Sequence, residues 1–489
     1  MFWRFGGNRK KLDEILARSK DFKIHNYVNE KTKVHFQLTY ISTIVDDQVL
    51  QNAVLPNLLQ KDLYRIEDAK EILPNEIVLS TDPRDITDQL LNGHVMLTID
   101  KEPGRYCFIS ARKELTRDMT VPEVEFSVSG PKSAFIESMD KNINLIRQRL
   151  PIRELVFEQF EVGRLSKTKL VIIYIEGITN RENVETIRQR IQNIEVDMIT
   201  DSSYINQIIS DNVNSPFPQL LDTERPDRVC SGLAEGKVAI IVDGSPHALL
   251  APTTLIEFFS SFEDYFMNWI LATFFRFLRF FSVSFSIFIT PIYVAVLTYH
   301  YELIPQDLIG ILETSRRTIP FPPILEALFL ELTIELLREA GARLPTKVGQ
   351  TIGIVGGIVI GTASVEAGLT SNVLLILVAL AALASFTTPV FRIGNTIRLL
   401  RFPFLIAADI GGLLGISYVF CLLLAHLIRL TSIGRPYLEP LYPFRLRDFR
   451  DALIRLPFEK QSRMPIFLRP EKKRRFSQRK AVKKKDIDE

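Results

Sequence analysis

The distribution of hydrophobic residues divides the chain into two parts. Up to about residue 258, apolar residues alternate with polar ones or recur at helical spacing, in short runs separated by Gly and Pro. After that point the apolar residues merge into long runs that few charges interrupt. The first pattern is typical of a water-soluble domain and the second of helices that cross a membrane. We therefore predict an α+β or α/β cytoplasmic domain of two lobes, followed by an all-α polytopic membrane domain.

The soluble part repeats a mixed pattern of strands and helices, which predicts its two lobes. In the first lobe, residues 1–129, a run of β-branched and aromatic residues at 34–45 predicts a strand. In the second lobe, residues 130–258, a helical pattern at 133–150 precedes a predicted hairpin and a further apolar strand. The N-terminus lacks the apolar core of a secretory signal, so we expect the soluble domain to be cytoplasmic.

The hydrophobic part, residues 259–430, contains four runs long enough to cross the ~30 Å core of a bilayer at ~1.5 Å per residue. These predicted spans are 282–299, 351–369, 372–391 and 404–428. The segment before the first span is rich in Phe and also contains Arg276 and Arg279. That mixture predicts a helix at the membrane surface whose arginines reach water. Residues 431–489 follow as an amphipathic segment and a basic tail.

The distribution of positive charge predicts the side of the membrane on which each end lies. Lys and Arg accumulate in the C-terminal tail, which we therefore expect in the cytoplasm. With the N-terminal domain on the same side, the number of crossings must be even, hence four. The rule is not satisfied everywhere, because a loop with Arg392, Arg398 and Arg401 would then lie outside.

A helix predicted at 320–340 carries carboxylates on an otherwise apolar surface. Glu331 and Glu335 fall within one broad face, whereas Glu326 falls on the opposite, apolar side. Two interpretations stay open. The helix lies in the headgroup region with its charges in water, or it lines a water-filled conduit with its carboxylates facing cations.

Two further carboxylates fall within the predicted spans. Glu366 is near the end of the second span and Asp409 is inside the fourth. A charged side chain at the bilayer centre costs roughly 2.5–3.5 kcal/mol on insertion scales, so such residues usually face a cavity or a partner. Either residue could line a conduit, and Glu366 is close enough to the end of its span to be interfacial.

Glycines recur at every fourth position in two of the predicted spans, at Gly353, Gly357 and Gly361 and again at Gly411 and Gly415. In a soluble helix each interior glycine costs roughly 1 kcal/mol relative to alanine. In a bilayer, small residues on one helical face let two helices approach closely. A phosphate-binding loop is the alternative for the first group, but Ile and Val flank it and no GK[ST] follows. We predict two helix-packing faces.

Composition and spacing argue against several functional classes. The net charge of +3 is too small to indicate a nucleic-acid-binding protein, and we expect the basic tail to bind anionic lipid. The three cysteines and six histidines lack metal-ligand spacing. No GxSxG motif is present, and only Asp243, before a Gly-Ser-Pro turn, could be an active-site acid. We expect no cofactor and no enzymatic activity.

Several segments between about residues 130 and 457 resemble one known family, the A subunits of bacterial spore germination receptors. They include GPKSAFIESMDKNINLIRQRL, ERPDRVCSGLAEGKVAIIVDGSPHAL, PFPPILEALFLELTIELLREAGARLP and GQTIGIVGGIVIGTASVEAGL. Within that family, the segments are most similar to a stage V sporulation member. The resemblance implies a protein of the spore inner membrane that forms a ring around an ion-conducting pore. It also implies cooperation with a transporter-like B subunit.

Three hypotheses follow for the function. The first is a homo-oligomeric cation channel that takes part in ion release when spores germinate. The second is a non-conducting adaptor or amplifier that acts through its soluble domain. The third, an enzyme in the soluble domain, has only Asp243 in its favour.

Overall fold

The computed structural model describes residues 19–113, 129–343, 361–445 and 448–476, and the single positions 122, 125, 127, 356 and 357. Within these residues the chain forms two lobes of mixed sheet and helix, followed by a helical region. The prediction of α/β lobes followed by helices is confirmed at this level. Helices of eight residues or more are numbered below.

The first lobe is built on one antiparallel sheet. Its five strands have the order β1-β2-β4-β5-β3, with bounds β1 Phe22–Val28, β2 His35–Ile41, β3 Ile77–Ser80, β4 His94–Ile99 and β5 Tyr106–Ser110. Its helical segments are Asp47–Val49, Leu50–Val54, Leu55–Gln60, Ile66–Asp68, Ala69–Ile72 and α1 Pro83–Leu91. The strand predicted at 34–45 ends at Ile41, because Ile44 and Val45 turn back and donate their N–H groups to the Ile41 carbonyl.

The second lobe contains a second antiparallel sheet of five strands, in the order β6-β7-β9-β10-β8. The strands are β6 Leu155–Val162, β7 Thr168–Ile175, β8 Leu221–Thr223, β9 Val238–Val242 and β10 Ala248–Ala251. The helices are α2 Met139–Arg149, α3 Arg181–Gln192, α4 Ser202–Ile209 and α5 Pro226–Glu235. Asn180 caps α3 by accepting the N–H of Glu182. Pro226 starts α5, where its missing donor costs little.

The second lobe and the helical region share one hydrophobic core. The cluster extends from Leu250 and Phe258 in the lobe to Val294 and Leu374 in the helices. The first lobe has separate clusters. It is joined to the second lobe by Arg147, whose fully buried guanidinium contacts Asp21 at 2.9 Å. The shared core means that the second lobe is the one that bears directly on the helices.

The helical region comprises five numbered helices and several short elements. The helices are α6 Trp269–Tyr299, α7 Gln306–Arg316, α8 Pro323–Arg343, α9 Asn372–Ser385 and α10 Phe391–Arg429, and residues 361–366 are also helical. Single helical turns lie at Leu255–Phe259, Phe262–Tyr265 and Tyr301–Leu303. The chain then forms β11 Thr431–Ser432, β12 Arg435–Pro436 and the short helices Phe449–Ala452 and Phe458–Lys460. By length and composition, α6 and α10 are apolar enough to cross a membrane.

The predicted surface helix and the predicted first span form one continuous helix, α6. It runs through Pro291, which interrupts the hydrogen bonds only locally. The prediction that Arg276 and Arg279 reach water is not met. Both bind the buried carboxylate of Asp264, at 3.0 and 2.5 Å. Pairing with an acid lets these arginines lie inside the protein, which the composition of the segment did not indicate.

Helix α10 folds back on itself. Its backbone dihedral angles are not helical at Gly411 (φ −135°, ψ 15°) and Gly412 (φ 57°, ψ −139°). Thr396 donates to the Pro216 carbonyl at 2.6 Å, while His426 contacts the adjacent Ser215 at 2.8 Å. A straight helix of 39 residues would be about 58 Å long and could not place both ends at neighbouring residues. The helix is therefore a pair of antiparallel arms, 391–410 and 413–429.

Aromatic packing supports this arrangement. Phe404 of the first arm and Phe420 of the second both lie against Phe288 of α6, with ring centroids 5.0 and 5.9 Å away. The reversal itself lies at the end of α6, where the Tyr299 hydroxyl donates to the Asp409 and Ile410 carbonyls. The predicted span 404–428 includes this reversal and therefore does not form one straight helix.

The helices pass back and forth between two ends of the region. We call the end at the second lobe the lobe side and the end at Tyr299 the far side. Tyr293, near the far end of α6, contacts Ser371 at the start of α9, and α9 returns to the lobe side. With α6, α8 and the two arms of α10, five passes are described. Between α8 and α9, Gly356 lies against Leu337 and Gly361 lies near Leu375.

Candidate functional site

A buried ion pair lies in the middle of the helical region. Arg401 of α10 contacts Glu331 of α8 at 3.0 Å, and each side chain is only 2% exposed. Arg401 also donates to Ser286 of α6 and to the Ala381 carbonyl of α9, and Thr290 of α6 donates to Glu331 at 3.1 Å. Four helices therefore meet at one pair of charges. Buried charges persist only when they are paired and hydrogen-bonded, so this pair fixes the helices relative to one another.

A second group of charges lies on the lobe side of that pair. Glu335 of α8 lies 3.8 Å from Arg398 of α10 and 3.7 Å from Arg338 on its own helix. Arg338 also donates to Ser385 at 3.2 Å and stacks on Phe386 at the end of α9. These contacts are longer and more exposed than the Glu331 pair. They connect α8, α9 and α10 one turn closer to the lobe.

A third group lies at the far side, where α8 begins. The fully buried carboxylate of Glu326 contacts Arg316 of α7 at 3.1 Å. It also accepts the backbone N–H of Ser371 at 3.2 Å. Glu326, Glu331 and Glu335 thus follow one another along α8, each with an arginine partner. We call these three groups the polar column.

The polar column contains three of the predicted conduit carboxylates, but the negative charge of each is already balanced by an arginine. Each carboxylate is neutralised by a guanidinium from another helix, namely Arg316, Arg401 or Arg398. A cation could replace such a guanidinium only if the helix that carries it moved. The chemistry of the column therefore depends on the position of α10, which supplies two of the three arginines.

The remaining candidate carboxylates lie outside the column. Glu366 is exposed, and Asp409 is half-buried just before the reversal. Asp409 is therefore at the far side and not at mid-depth, because the chain turns back immediately after it. Their assignment to a conduit stays a prediction.

The candidate glycines have different surroundings. Gly353 lies outside the described residues, and a Cβ at Gly357 or Gly411 would meet nothing within 4 Å. At Gly361 a Cβ would touch Leu375 at 3.7 Å, an ordinary contact. At Gly415 it would lie 2.0 Å from the Ala407 carbonyl oxygen, because the two arms are closest there. Gly415 thus packs the arms of one helix together, and packing at the other positions stays a prediction.

The sequence did not indicate the contacts between α10 and the second lobe. Arg392 binds Asp222 of β8 at 2.8 Å, and His247 contacts the same carboxylate at 3.3 Å and Glu224 at 3.6 Å. The Asp222 carboxylate beside the imidazole raises the pKa of His247. Arg392 lies about two turns before Arg398 on the same arm. The signal in the sequence for these contacts is the run of arginines at 392–401, which the four-span prediction leaves in an outside loop.

Within the part of the chain that the structure describes, no group of three or more His, Cys, Asp or Glu side chains could hold a metal ion. Asp243 accepts the backbone N–H of Met139 at 3.2 Å, and the next residue, Gly244, has φ +84°. That geometry belongs to a turn that ties α2 to the end of β9.

Comparison with known proteins gives a consistent result across nearly the whole chain. Residues 10–467 match the family model described as Bacillus/Clostridium GerA spore germination protein. Spore germination protein GerQA of Bacillus cereus is 50% identical over 97% of this chain and 95% of its own length. Spore germination protein GerIA of Bacillus cereus is 46% identical over 94% of this chain and 69% of its own length.

Among solved structures, the chain is similar to the N-terminal domain of the A subunit of the Bacillus megaterium spore germinant receptor GerK3. It is 30% identical, covers 50% of this chain and 93% of that chain, and gives a TM-score of 0.39. The finer resemblance to a stage V sporulation member stays a prediction.

Proposed function

Because this chain belongs to the GerA family of spore germination proteins, we propose that it is a membrane subunit that forms, with further copies of itself, a cation-conducting channel. The polar column carries this proposal. Carboxylates buried between apolar helices are costly and usually mark an ion pathway or a partner site. In the described structure Arg398 pairs with Glu335, and Arg401 pairs with Glu331. A shift of α10 would withdraw both arginines together and leave the carboxylates to cations.

We further propose that the helical region crosses the membrane six times instead of four. The five described passes support this number, and we assign the sixth to the segment 351–369, of which residues 351–355 and 358–360 lie outside the described residues. An even number keeps the soluble domain and the basic tail on one side. The exposed side chains along the arms of α10, among them Ile406, Leu414 and Leu422, are apolar and suit contact with lipid. Arg392 then lies on the cytoplasmic side, so the conflict with the positive-inside rule is removed there.

The proposed setting is the inner membrane of the spore. There the subunit would work with a transporter-like B subunit, and its basic tail would contact anionic lipid. We propose no role for nucleic acid, a cofactor or enzymatic catalysis.

The proposal is tested by potassium release from germinating spores that carry variants of this chain. The variant E331Q/E335Q removes two carboxylates of the column, and E339Q is the matched control because Glu339 is exposed and, among the described residues, forms its ion pair with Arg343. We expect the double variant to lose most of the release and the control to keep it. Unchanged release in spores that contain normal amounts of the double variant would contradict the assignment of the conduit.

A non-conducting adaptor is the alternative function, and one observation favours it. Each carboxylate of the polar column is paired, as expected if the column only holds the helices together. The adaptor hypothesis predicts that polarity changes in the column are tolerated. It also predicts that surface changes near Asp227, Arg228 and Gly244 abolish function. The variants above separate the two functions.

A further inference from the structure

A cavity of about 1150 Å³ lies between the second lobe and the C-terminal segment 439–475. One wall is formed by α5, by the end of β10 and by the residues that lead to α6. The opposite wall is the loop 460–475. We call this space the C-terminal cavity. It is large enough for a small molecule or a lipid headgroup, and it is separate from the polar column.

The inner charges of the C-terminal cavity compensate one another. Three of the cations that line the cavity, two on the second lobe and one at the end of the loop, have carboxylates of the second lobe or of the segment before it as partners: Lys237 with Glu257, Arg228 with Glu125, and Arg475 with Glu235. The two other acids that line it are also engaged. Glu439 binds Arg445, and Asp448 accepts the backbone N–H of Ile466 at 3.1 Å. The inner wall therefore offers little charge to a ligand.

The outer charges are different, because they are all positive. The loop contributes five cations, which make no ion pair with any residue that the structure describes: Lys460, Arg463, Arg469, Lys473 and Arg474. The cavity thus has an excess of positive charge at its mouth.

Two of these cations are held directly opposite each other. Arg463 and Arg474 form an antiparallel bridge, fixed by hydrogen bonds from Arg475 N to Ser462 O (2.9 Å) and from Met464 N to Lys473 O (3.2 Å). Residues opposite one another in such a bridge point to the same face, and like charges there are destabilising. An anion between the two guanidinium groups would remove this repulsion. Guanidinium also matches the oxygens of phosphate in paired hydrogen bonds.

We propose that the C-terminal cavity binds a phosphate-bearing anion through Arg463 and Arg474. The anion is either the headgroup of an acidic phospholipid or a free phosphate compound. The cavity lies near the proposed membrane surface, because Phe262 and Tyr265 line it and α6 begins at the exposed Trp269. This inference does not depend on ion conduction.

The test measures ligand binding to the full chain purified in detergent. The probes are phosphatidylglycerol, phosphatidylcholine and inorganic phosphate, each followed by the shift of the thermal unfolding midpoint. The cavity variant is R463Q/R474Q. The control variant K141Q/R164Q removes the same charge from exposed positions on the second lobe that do not line the cavity. A third variant, R463K/R474K, keeps the charge but not the paired hydrogen bonds.

We expect the wild type and K141Q/R164Q to bind phosphatidylglycerol or inorganic phosphate equally. R463Q/R474Q should bind about tenfold more weakly or worse, as the loss of a charge-assisted contact implies, and R463K/R474K should recover part of the affinity. Binding of phosphatidylglycerol alone identifies a lipid headgroup, and binding of inorganic phosphate as well identifies a free anion. If the cavity variant and the control bound both probes equally, or if neither probe bound the wild type more tightly than phosphatidylcholine does, the inference would be wrong.

Discussion

At the scale of single residues, the buried carboxylates of α8 depend on arginines that lie far away in the sequence. Glu331 and Arg401 are 70 positions apart. Helical spacing identified Glu326, Glu331 and Glu335 as unusual, since a charge on an apolar surface needs a reason. It could not identify their partners, because pairing depends on how distant helices pack. The candidate acids were therefore predictable from the sequence, but their compensation was not.

The Glu331 pair leads to a prediction about stability. The substitution R401M leaves the Glu331 carboxylate buried without its partner, which should lower the free energy of unfolding by about 3–5 kcal/mol. The double variant E331L/R401M removes both charges and should recover most of that loss. Unfolding of the purified protein in detergent measures both effects. If the double variant were as unstable as R401M alone, the pairing would not be the cause.

An exposed ion pair provides the control for this experiment. Glu339 and Arg343 are 64% and 78% exposed, and surface pairs of this kind contribute about 0.2–1 kcal/mol. The variant E339Q/R343Q should therefore unfold almost like the wild type.

His247 leads to a prediction about pH. The neighbouring Asp222 carboxylate raises the pKa of His247 in the folded protein above the value of about 6.5 in the unfolded chain. The protonated form therefore stabilises the fold at pH below about 6.5, and this contribution is lost as pH rises through the raised pKa. The thermal midpoint of the wild type should exceed that of H247Q at low pH, and the difference should vanish at higher pH. Asp222 and Glu224 face the imidazole, and Arg392 binds the same Asp222 carboxylate.

A difference between the two proteins that stayed constant from about pH 5.5 to about pH 9 would contradict this account of His247.

At the scale of secondary structure, the reversal in α10 is the feature that local pattern could not predict. Ile, Leu and Phe continue on both sides of Gly411 and Gly412, so hydropathy alone describes one long helix. The spacing of Gly411 and Gly415 indicated a packing face, and a Cβ at Gly415 would meet the Ala407 carbonyl of the other arm. The bounds of a helix were easier to predict where the residue pattern changes at its two ends. The helix predicted at 320–340 begins and ends within three residues of Pro323–Arg343.

The two adjacent glycines provide a matched pair for testing the reversal. Gly412 has φ +57°, and a Cβ there would lie 2.9 Å from the His300 ring and 3.1 Å from Tyr299. G412A should therefore destabilise the protein by about 1–3 kcal/mol. Gly411 has a negative φ and open space around it, so G411A should cost about 1 kcal/mol or less. Equal thermal midpoints for the two variants would argue against a turn at Gly412.

At the scale of the whole molecule, the number of membrane passes changes the meaning of the charge pattern. Four spans required an outside location for the arginines at 392–401. With two arms in α10, Arg392 lies beside Asp222 of the second lobe, and the same helix carries Arg398 and Arg401 to the polar column. One helix therefore contacts both the soluble lobe and the buried carboxylates. The even number of passes stays a prediction, and hydropathy alone could not show the reversal within α10.

Cysteine labelling in right-side-out and inside-out vesicles tests this topology. In a C421S background, Cys107 and Cys230 stay unreactive because burial raises the pKa of each to about 12. We expect I410C, beside the reversal, to react with a membrane-impermeant maleimide only from the side opposite the soluble domain. Y442C, which is exposed at the lobe side, should react only from the other side. L422C, midway along the second arm, should react from neither.

Failure of I410C to react from the far side, in protein whose Y442C variant reacts normally, would favour a single crossing by α10.

The most direct test of the central claim is single-channel recording of the purified chain in a planar bilayer, with the mass of the particle determined beforehand. We predict a closed oligomer that passes monovalent cations in preference to anions, with a conductance that E331Q/E335Q reduces and E339Q does not. The recording is made both with and without a coexpressed B subunit, so that a channel that needs its partner is also detected. A chain that stays silent in both preparations, while retaining its oligomeric mass, would contradict the channel and support the adaptor.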